Sequence, residues 1–462
     1  MKNLKIILIA LFCIGLLPKV LAQVPGTPYI VPTATPAPVP PVPVNMTLNV
    51  VCPYLIYSVN DNNYLPYTEP VSAGNFTSPS NPDGTTEALI DIQGTLTTAG
   101  ITINIPYTVS FGTVNLLAYS QIINVPASST QDGNARDVEF SWAAGTYATG
   151  SGYIPVTVKA LVGNLSIKKL DINTGVGSDA LGALLAQFSY PINNSNTTNT
   201  FDLRAVAAIP DGNEDANHRM VYFPIISNLN FCKVWLNNNL GADYANTAHT
   251  SFSPAKQAEN NQNDHHAYGS LFQGGRYSDG HELIIWANST TGTRVNGFTT
   301  ILSPDATPDN SLIIGNSYGN VYQTNTGGDW STVDDVLIWN SPAYTNNPCP
   351  KGFIVADDGV EYNAEMISNN IFDMPTAYAS FLKLTAPGTY ETNTDLNGED
   401  GEDFTPPPLP SGNFSNVGTH GYYWSRSSNG NHSQFFITFE PGSIEYGNAE
   451  RTIPKAVRCV KK

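Results

Sequence analysis

From residue 45 to about residue 195, apolar and polar positions alternate with a period of two. Ile101–Ile105 and Val138–Trp142 show this pattern clearly. Alternation places the apolar side chains on one face of an extended strand, where they can pack against a core. Turn-forming clusters such as Asn81–Gly84 and Gly150–Gly152 separate the runs. The pattern predicts a β-sandwich domain over residues 45–200.

The second half of the chain is less regular and contains most of the predicted helices. Glu361–Asn369 and Ala377–Leu384 have helical spacing. A further short helix is predicted inside the sandwich region at Ser178–Phe188, with its first residue as the N-cap. The polar stretch Asn193–Asn199, or else 210–217, is the predicted domain boundary. The whole chain is therefore expected to be mainly β with a minor α+β part.

The first 44 residues differ in composition from the rest of the chain. Residues 1–22 are typical of a signal peptide, because lysines precede the apolar run Ile6–Leu17 and Val20–Ala22 forms a small-residue cleavage site. Residues 23–44 are rich in proline and predict either a stiff polyproline II linker or a disordered start. No later apolar run reaches about 18 residues, so we expect no membrane-spanning segment in the mature chain.

Composition and charge narrow the classes of function. Charged residues make up 13% of the chain, which contains 38 Gly and 34 Pro, as is typical of strand-rich secreted proteins. Of the 21 basic residues, the predicted signal peptide holds three, so 18 remain in the mature chain against 38 acidic residues. This balance argues against nucleic acid as a partner, since phosphates require basic patches. It fits a soluble protein or one that binds divalent cations.

The cysteines indicate the compartment. Cys13 lies in the predicted signal peptide, which leaves Cys52, Cys232, Cys349 and Cys459. An even number in an exported chain predicts two disulfides, for which three pairings are possible. A zinc site is the alternative use of four cysteines, but the Cys-x-x-Cys pair typical of such sites is missing.

Short blocks in the second half occur in a recognisable order. They are Trp235–Asn237, Asn239–Gly241, Ala267–Gln273, Gly275-Arg276, Asp279–His281, Asn347–Phe353, Gly421–Ser425 and Val457–Cys459. Together they resemble the Fibrobacter succinogenes major paralogous domain family. The resemblance covers Ala216 to Lys462 and implies a secreted domain with a C-type-lectin-like fold. In the first half, Ala144–Gly152 resembles a turn of the immunoglobulin-like repeats of exported bacterial surface proteins.

The family resemblance also carries implications for single residues. It implies that Cys349 pairs with Cys459, which leaves Cys52 for Cys232. It implies a buried polar framework that includes Asp279 and His281, and it places Trp424 in the core. The chain departs from the family at Gly274, where a tryptophan is usual, and at 356–358, where Ala-Asp-Asp replaces the usual Pro-Thr.

One acidic cluster is the candidate metal site. Ca²⁺ takes six to eight oxygen ligands, which closely spaced carboxylates between glycine turns can supply. The stretch 395–403 has this composition, but its glycines do not fit the EF-hand spacing. A solvated acidic loop is the alternative. The candidate ligands for a possible Ca²⁺ cofactor are Asp395, Asn397, Glu399, Asp400, Glu402 and Asp403. The stretch 211–217 has a similar spacing but is interpreted as an interdomain linker.

Other candidate chemistry is sparse. Asp264-His265-His266 and His281 could bind zinc, but no His-x-x-x-His helix is present, and we interpret the first three as surface residues. No phosphate-binding loop of the Gly-x-x-x-x-Gly-Lys type occurs. The sugar-binding tripeptides of calcium-dependent lectins are missing too. In the strand around Trp424, one of the tyrosines 422 and 423 remains a candidate surface contact.

These features favour a binding or adhesion protein that is secreted or held at the outer cell surface. Its expected partner is a glycan or an extracellular matrix protein, and no catalytic residues are predicted. The alternative is a structural subunit of a surface appendage or extracellular matrix, assembled through exposed strand edges. A third hypothesis is an enzyme related to formylglycine-generating proteins, which would require a reactive cysteine.

Overall fold

The computed structural model describes residues 42–61, 90–170, 182–195, 197–211, 220–227, 232–247, 249–299, 321–322, 330, 339–340, 346–390, 414–429 and 433–462. Within these residues the structure is mainly β with two short α-helices, which confirms the predicted fold class. The predicted signal peptide, most of the proline-rich linker and the acidic stretch 395–403 lie outside the described residues.

Among the described residues, eleven strands build the first domain, here called the sandwich domain. They are β1 (Met46–Leu48), β2 (Tyr54–Asp61), β3 (Ile90–Gln93), β4 (Thr95–Leu96), β5 (Ile101–Leu116), β6 (Tyr119–Val125), β7 (Arg136–Trp142), β8 (Gly145–Ala160), β9 (Leu165–Ser166), β10 (Ala183–Pro191) and β11 (Thr198–Val206).

Two sheets of the sandwich domain enclose one core. The first sheet has the order β1-β5-β8-β7-β6, and the second has the order β10-β11-β2-β3. Phe140 of the first sheet stacks on Phe188 and Tyr190 of the second, with ring centroids 5.4 and 5.8 Å apart. Along β6 every second residue is buried, as the alternating pattern predicts.

Three local predictions in this domain are wrong. The segment predicted as a helix, Ser178–Phe188, overlaps β10, because Phe188 and Tyr190 must both point into the core at a spacing of two. The polar stretch 193–199 is the hairpin between β10 and β11 rather than a boundary, and β11 extends the sandwich to Val206, beyond residue 200. The expected turn Ala144–Gly152 is largely the first half of β8, which pairs with β5 along its length.

The remaining elements build the C-terminal domain. Its strands are β12 (Ile209–Pro210), β13 (Val221–Tyr222), β14 (Pro224–Ile226), β15 (Val234–Leu236), β16 (Ile284–Asn288), β17 (Thr291–Arg294), β18 (Phe298–Thr299), β19 (Val321–Tyr322), β20 (Phe353–Val355), β21 (Thr389–Tyr390), β22 (Phe414–Ser415), β23 (Gly421–Ser428), β24 (Ser433–Glu440), β25 (Ser443–Glu450) and β26 (Cys459–Lys461). Its α-helices are α1 (Asn363–Asn369) and α2 (Met374–Ala379).

The last strand of the C-terminal domain, β26, lies in the interior of one of its sheets. One sheet has the order β14-β15-β26-β20, so β26 lies between strands from the start and the middle of the domain. A second sheet, β23-β24-β25, packs its Trp424 into the core, where the indole Nε1 donates a hydrogen bond to the carbonyl of Phe272 at 2.7 Å. Trp424 is fully buried, as the family resemblance implies.

The two helices lie near their predicted positions. Helix α1 follows a π-helical turn, Asp358–Tyr362, so the predicted helix over 361–369 is nearly right. Helix α2 begins three residues earlier than predicted because Asp373 and Thr376 form a capping box. It ends at Ala379, and Lys383, which was predicted to be helical, has a positive φ of 49°. No helix among the described residues is long and apolar enough to cross a membrane.

Two disulfides link segments that lie far apart in the sequence. Cys349 pairs with Cys459, which ties the segment before β20 to β26, and Cys52 pairs with Cys232 across the two domains. These are the pairs that the family resemblance implies. Beside the interdomain disulfide, the hydroxyl of Tyr57 donates to the carbonyl of Pro224 at 3.0 Å. The domains are therefore joined by a covalent bond and by side-chain contacts.

Candidate functional site

A pocket on the C-terminal domain gathers polar groups that lie far apart in the sequence. Its lining includes Gly241, Asp243, Asn246, His249, Ser270 and Trp286. The pocket has a volume of about 40 Å³, so it can take an ion or one polar group of a larger ligand. Asp243 and His249, together with His266, form the histidine cluster.

Backbone geometry at Gly241 places Asp243 beside the pocket. Gly241 has a φ of +78°, and a Cβ atom built there would lie 2.1 Å from the Oγ atom of Ser270. Only glycine fits this close approach at a left-handed position. The chain then turns through the 3₁₀ helix Asp243–Ala245, which exposes part of the Asp243 carboxylate.

A second 3₁₀ helix positions His266. It spans His265–Ala267, and Asp264 caps it by accepting a hydrogen bond from the amide of His266 at 3.3 Å. The other carboxylate oxygen of Asp264 accepts a hydrogen bond from the Tyr244 hydroxyl at 2.9 Å. Since Tyr244 belongs to the first 3₁₀ helix, this bond holds the two turns together.

One carboxylate oxygen serves both imidazoles of the histidine cluster. Oδ2 of Asp243 lies 3.0 Å from Nδ1 of His266 and 3.5 Å from Nε2 of His249. The side chains of Asp243, His249 and His266 are 16%, 22% and 31% exposed, so solvent and small solutes can reach all three. The histidine cluster is therefore partly buried but still accessible to solvent.

The hydrogen bonds define the protonation of the two rings. Nδ1 of His249 accepts from the amide of Ser251 at 3.1 Å, so in the neutral ring the proton sits on Nε2, facing Asp243. Nε2 of His266 lies 3.4 Å from the Oγ of Ser251. The hydrogen bond to Asp243 raises the pKa of His266, whereas burial lowers the pKa of His249. His266 is therefore the first of the two to take a proton as the pH falls.

A second group of possible metal ligands, Asp279, His281 and Glu282, is fully buried. Nε2 of His281 accepts a hydrogen bond from the amide of Gln273 at 2.9 Å, and its Nδ1 lies 2.7 Å from Asp279. The Arg276 guanidinium lies 2.7 Å from the same carboxylate. Burial alone would raise the pKa of Asp279, but the charge of Arg276 lowers it overall. The Arg276 guanidinium already pairs with the carboxylate of Asp279. We therefore interpret this group as part of the buried framework.

Two members of the histidine cluster, Asp243 and His249, carry no signal in the sequence. Asp264-His265-His266 was interpreted as surface residues, and His266 is indeed partly exposed, but Asp243 and His249 were not recognised as its neighbours. No motif connects the three positions, because two separate turns bring them together. His281, the other zinc candidate, belongs to the buried framework. The calcium candidates Asp395–Asp403 lie outside the described residues.

Of the two tyrosines that are candidates for a surface contact, one is buried and one is half-buried. Tyr423 is fully buried, and its hydroxyl contacts Thr385 and Asn239. Tyr422 is half-buried, with its ring stacked on that of His420 at 5.8 Å. The tyrosine that remains as a surface contact is therefore Tyr422.

No protein-family model, curated protein or solved structure matches this chain. The resemblance to the Fibrobacter family therefore remains a prediction from the short sequence blocks.

Proposed function

We propose that the chain is a secreted or cell-surface binding protein of an adhesive kind, and that its ligand binds in the pocket beside the histidine cluster. The expected ligand is a glycan or an extracellular matrix protein. Support comes from the predicted signal peptide and from the two disulfides, which form and persist in oxidising compartments.

The observation that carries the proposal is the chemistry of the pocket. The carboxylate of Asp243 can accept hydrogen bonds from a ligand, whereas both ring nitrogens of His249 are engaged with Ser251 and Asp243. Asp243 and His249 lie beside Trp286, and Ile285, which also lines the pocket, is 43% exposed. Trp286 is buried against Tyr268 and Phe414, so the exposed Ile285 beside Asp243 is the apolar surface that can meet the carbons of a sugar while the carboxylate meets a hydroxyl.

A structural subunit is the second candidate function. Strand β6 forms one edge of the five-stranded sheet among the described residues, and Ile122 on it is 49% exposed. An open strand edge can pair with a strand of another chain. Concentration-dependent polymers in electron micrographs of the purified protein would favour this function over ligand binding.

The enzyme hypothesis has the least support. A relative of formylglycine-generating proteins needs a reactive cysteine thiolate. Cys52, Cys232, Cys349 and Cys459 are all held in disulfides, so none of these four offers a thiol.

Binding to a glycan and matrix-protein array tests the leading proposal. Ligand binding that weakens in an Asp243→Asn variant would support it. Binding that is unchanged in this variant would place the ligand elsewhere on the surface.

A further inference from the structure

Two distances in the histidine cluster match the spacing of ligand atoms around a metal ion. Zinc binds nitrogen and carboxylate oxygen at about 2.0–2.2 Å, so two ligands of a tetrahedral ion lie roughly 3.3 Å apart. The distances from Oδ2 of Asp243 to the two imidazole nitrogens are 3.0 and 3.5 Å. Each of the three residues places one possible ligand atom within 4.8 Å of those of the other two.

We propose that Asp243, His249 and His266 bind a divalent transition-metal ion of the Zn²⁺ class. Two imidazoles with one carboxylate suit zinc and its neighbours, whereas calcium and magnesium prefer sites made of oxygen alone. Three protein ligands leave a coordination position open, as in zinc sites that also bind a further molecule. The site differs in place and in ligands from the acidic calcium candidate at 395–403.

The surroundings of His266 support this assignment. A metal-bound histidine usually donates its second ring N–H to a neighbouring acceptor, which fixes the orientation of the ring. With Nδ1 on the metal, the Nε2–H of His266 faces the Oγ of Ser251 at 3.4 Å. The capping bond from the His266 amide to Asp264 holds the backbone that carries the ligand.

The hydrogen bond between His249 and the Ser251 amide offers a spectroscopic signal of metal binding. Its Nε2 carries the proton in the neutral ring, because Nδ1 accepts from the Ser251 amide. Zinc at Nε2 requires this proton to move to Nδ1 of the same ring, which can then no longer accept a hydrogen bond from Ser251. Metal binding should therefore shift the amide resonance of Ser251, and the protons that it releases come from the protonated fraction of His266.

The metal would extend the proposed function. Asp243 and His249 line the pocket, so a hydroxyl or carboxylate oxygen of a bound glycan could complete the coordination. Only this last step rests on the proposed function. Zinc binding itself is measured without any glycan, so the two proposals can fail separately.

The test uses the mature, tag-free protein after treatment with EDTA. Isothermal titration with Zn²⁺ should show one ion per chain. His249→Gln and His266→Gln should each weaken the affinity at least about 100-fold, since even outer-sphere changes cost roughly 10–100-fold. The matched control is His265→Gln, which removes the neighbouring imidazole, whose ring centroid lies 4.0 Å from that of His266, and should leave the affinity unchanged.

Two measurements on the unmodified protein guard against variants that misfold. Titration in buffers of different ionisation enthalpy should show proton release that decreases as the pH rises past the titration of the cluster. The groups that set this dependence are Asp243, His249, Asp264, His265 and Lys256, which face His266. Cobalt in place of zinc should give the visible absorption of a low-coordinate site.

Three results would overturn the proposal. The first is no zinc binding to the unmodified protein. The second is binding that persists in both cluster variants. The third is an equal loss of affinity in His265→Gln, which would indicate a site made of exposed imidazoles alone.

Discussion

Nδ1 of His266 lies 3.0 Å from Oδ2 of Asp243, although 23 positions separate the two residues in the chain. The same oxygen lies 3.5 Å from Nε2 of His249. One carboxylate therefore serves two imidazoles, and a proton on either ring disfavours a proton on the other. This relationship makes the cluster sensitive to pH as well as suited to a metal.

The two imidazoles should titrate on opposite sides of the ordinary histidine pKa. The hydrogen bond to Asp243 raises the pKa of His266, and burial lowers that of His249. Protonated His266 therefore stabilises the folded state below the unfolded pKa of about 6.5, and this contribution is lost as the pH rises through the folded pKa. His249 acts in the opposite sense, because its protonation opposes folding as the pH falls.

Nuclear magnetic resonance titration of the ring protons checks this order. Asp243→Asn should lower the pKa of His266, since it removes the hydrogen-bonded carboxylate and leaves only the more weakly acting Asp264. A folded Asp243→Asn protein in which His266 still titrates as in the unmodified chain would contradict the account.

Gly269 should tolerate no side chain. It has a φ of +76°, and a Cβ atom there would lie 2.3 Å from the carbonyl oxygen of Leu240. Gly269→Ala should lower the free energy of unfolding by roughly 3 kcal/mol or more, from backbone strain together with the clash. The matched control is Gly442→Ala, at a φ of +91° with nothing within 4 Å, which should cost only about 1–2 kcal/mol. If urea unfolding gave the same loss of unfolding free energy for both variants, the clash at Gly269 would be relieved by local movement, contrary to this prediction.

The disulfide that closes the C-terminal domain should contribute strongly to its stability. Cys349 and Cys459 are 110 positions apart, a loop for which the chain-entropy model gives about 4–5 kcal/mol. The double variant Cys349→Ala/Cys459→Ala should therefore unfold at a markedly lower urea concentration. Peptide mapping without reductant should recover this pair and the Cys52–Cys232 pair. Any other pairing would contradict the structure.

Lys455 should give the stability of the C-terminal domain an unusual dependence on pH. It is buried among the rings of Phe436, Trp424 and Tyr422, with Nζ 4.3, 5.1 and 5.2 Å from their centroids. Burial lowers the pKa of Lys455 to about 7, and the aromatic faces oppose this effect by attracting the cation. Between the folded pKa and that of the unfolded chain, the unfolded state binds more protons, so stability should rise with pH.

Lys455→Met tests this directly. The variant should lack the rise and, near neutral pH, should be more stable by roughly 1–3 kcal/mol, because no charge is buried. Urea unfolding at several pH values measures both effects. If the unmodified protein and the variant show parallel curves, Lys455 stays charged throughout.

Much of the fold was predictable because local patterns and tertiary structure agree. The alternation at Val138–Trp142 marks a strand whose buried side chains meet the opposite sheet. Disagreement arose where the pattern was ambiguous. In Ala183–Pro191 the run Ala-Leu-Leu-Ala resembles a helix, and only pairing with β11 selects the extended form. The start of α2 depended on the cap at Asp373, which the spacing of apolar residues does not reveal.

The candidate site was much less predictable than the fold. Asp243, His249 and His266 come from two turns and the segment between them, and no periodic pattern reports how close such turns lie. The bond between Tyr244 and Asp264 that joins them links side chains 20 positions apart. A sequence signal was present only in the adjacent histidines at 265 and 266, which by themselves point to a surface loop.

The most direct test of the central claim is the binding of the purified mature protein to a broad array of glycans and matrix proteins. Separate arms would contain calcium, zinc or EDTA, with Asp243→Asn as the pocket variant and His265→Gln as the control. The account predicts a specific ligand whose binding falls at least about tenfold in Asp243→Asn and is unchanged in His265→Gln. Absence of binding in every arm, or binding that Asp243→Asn leaves intact, would contradict it.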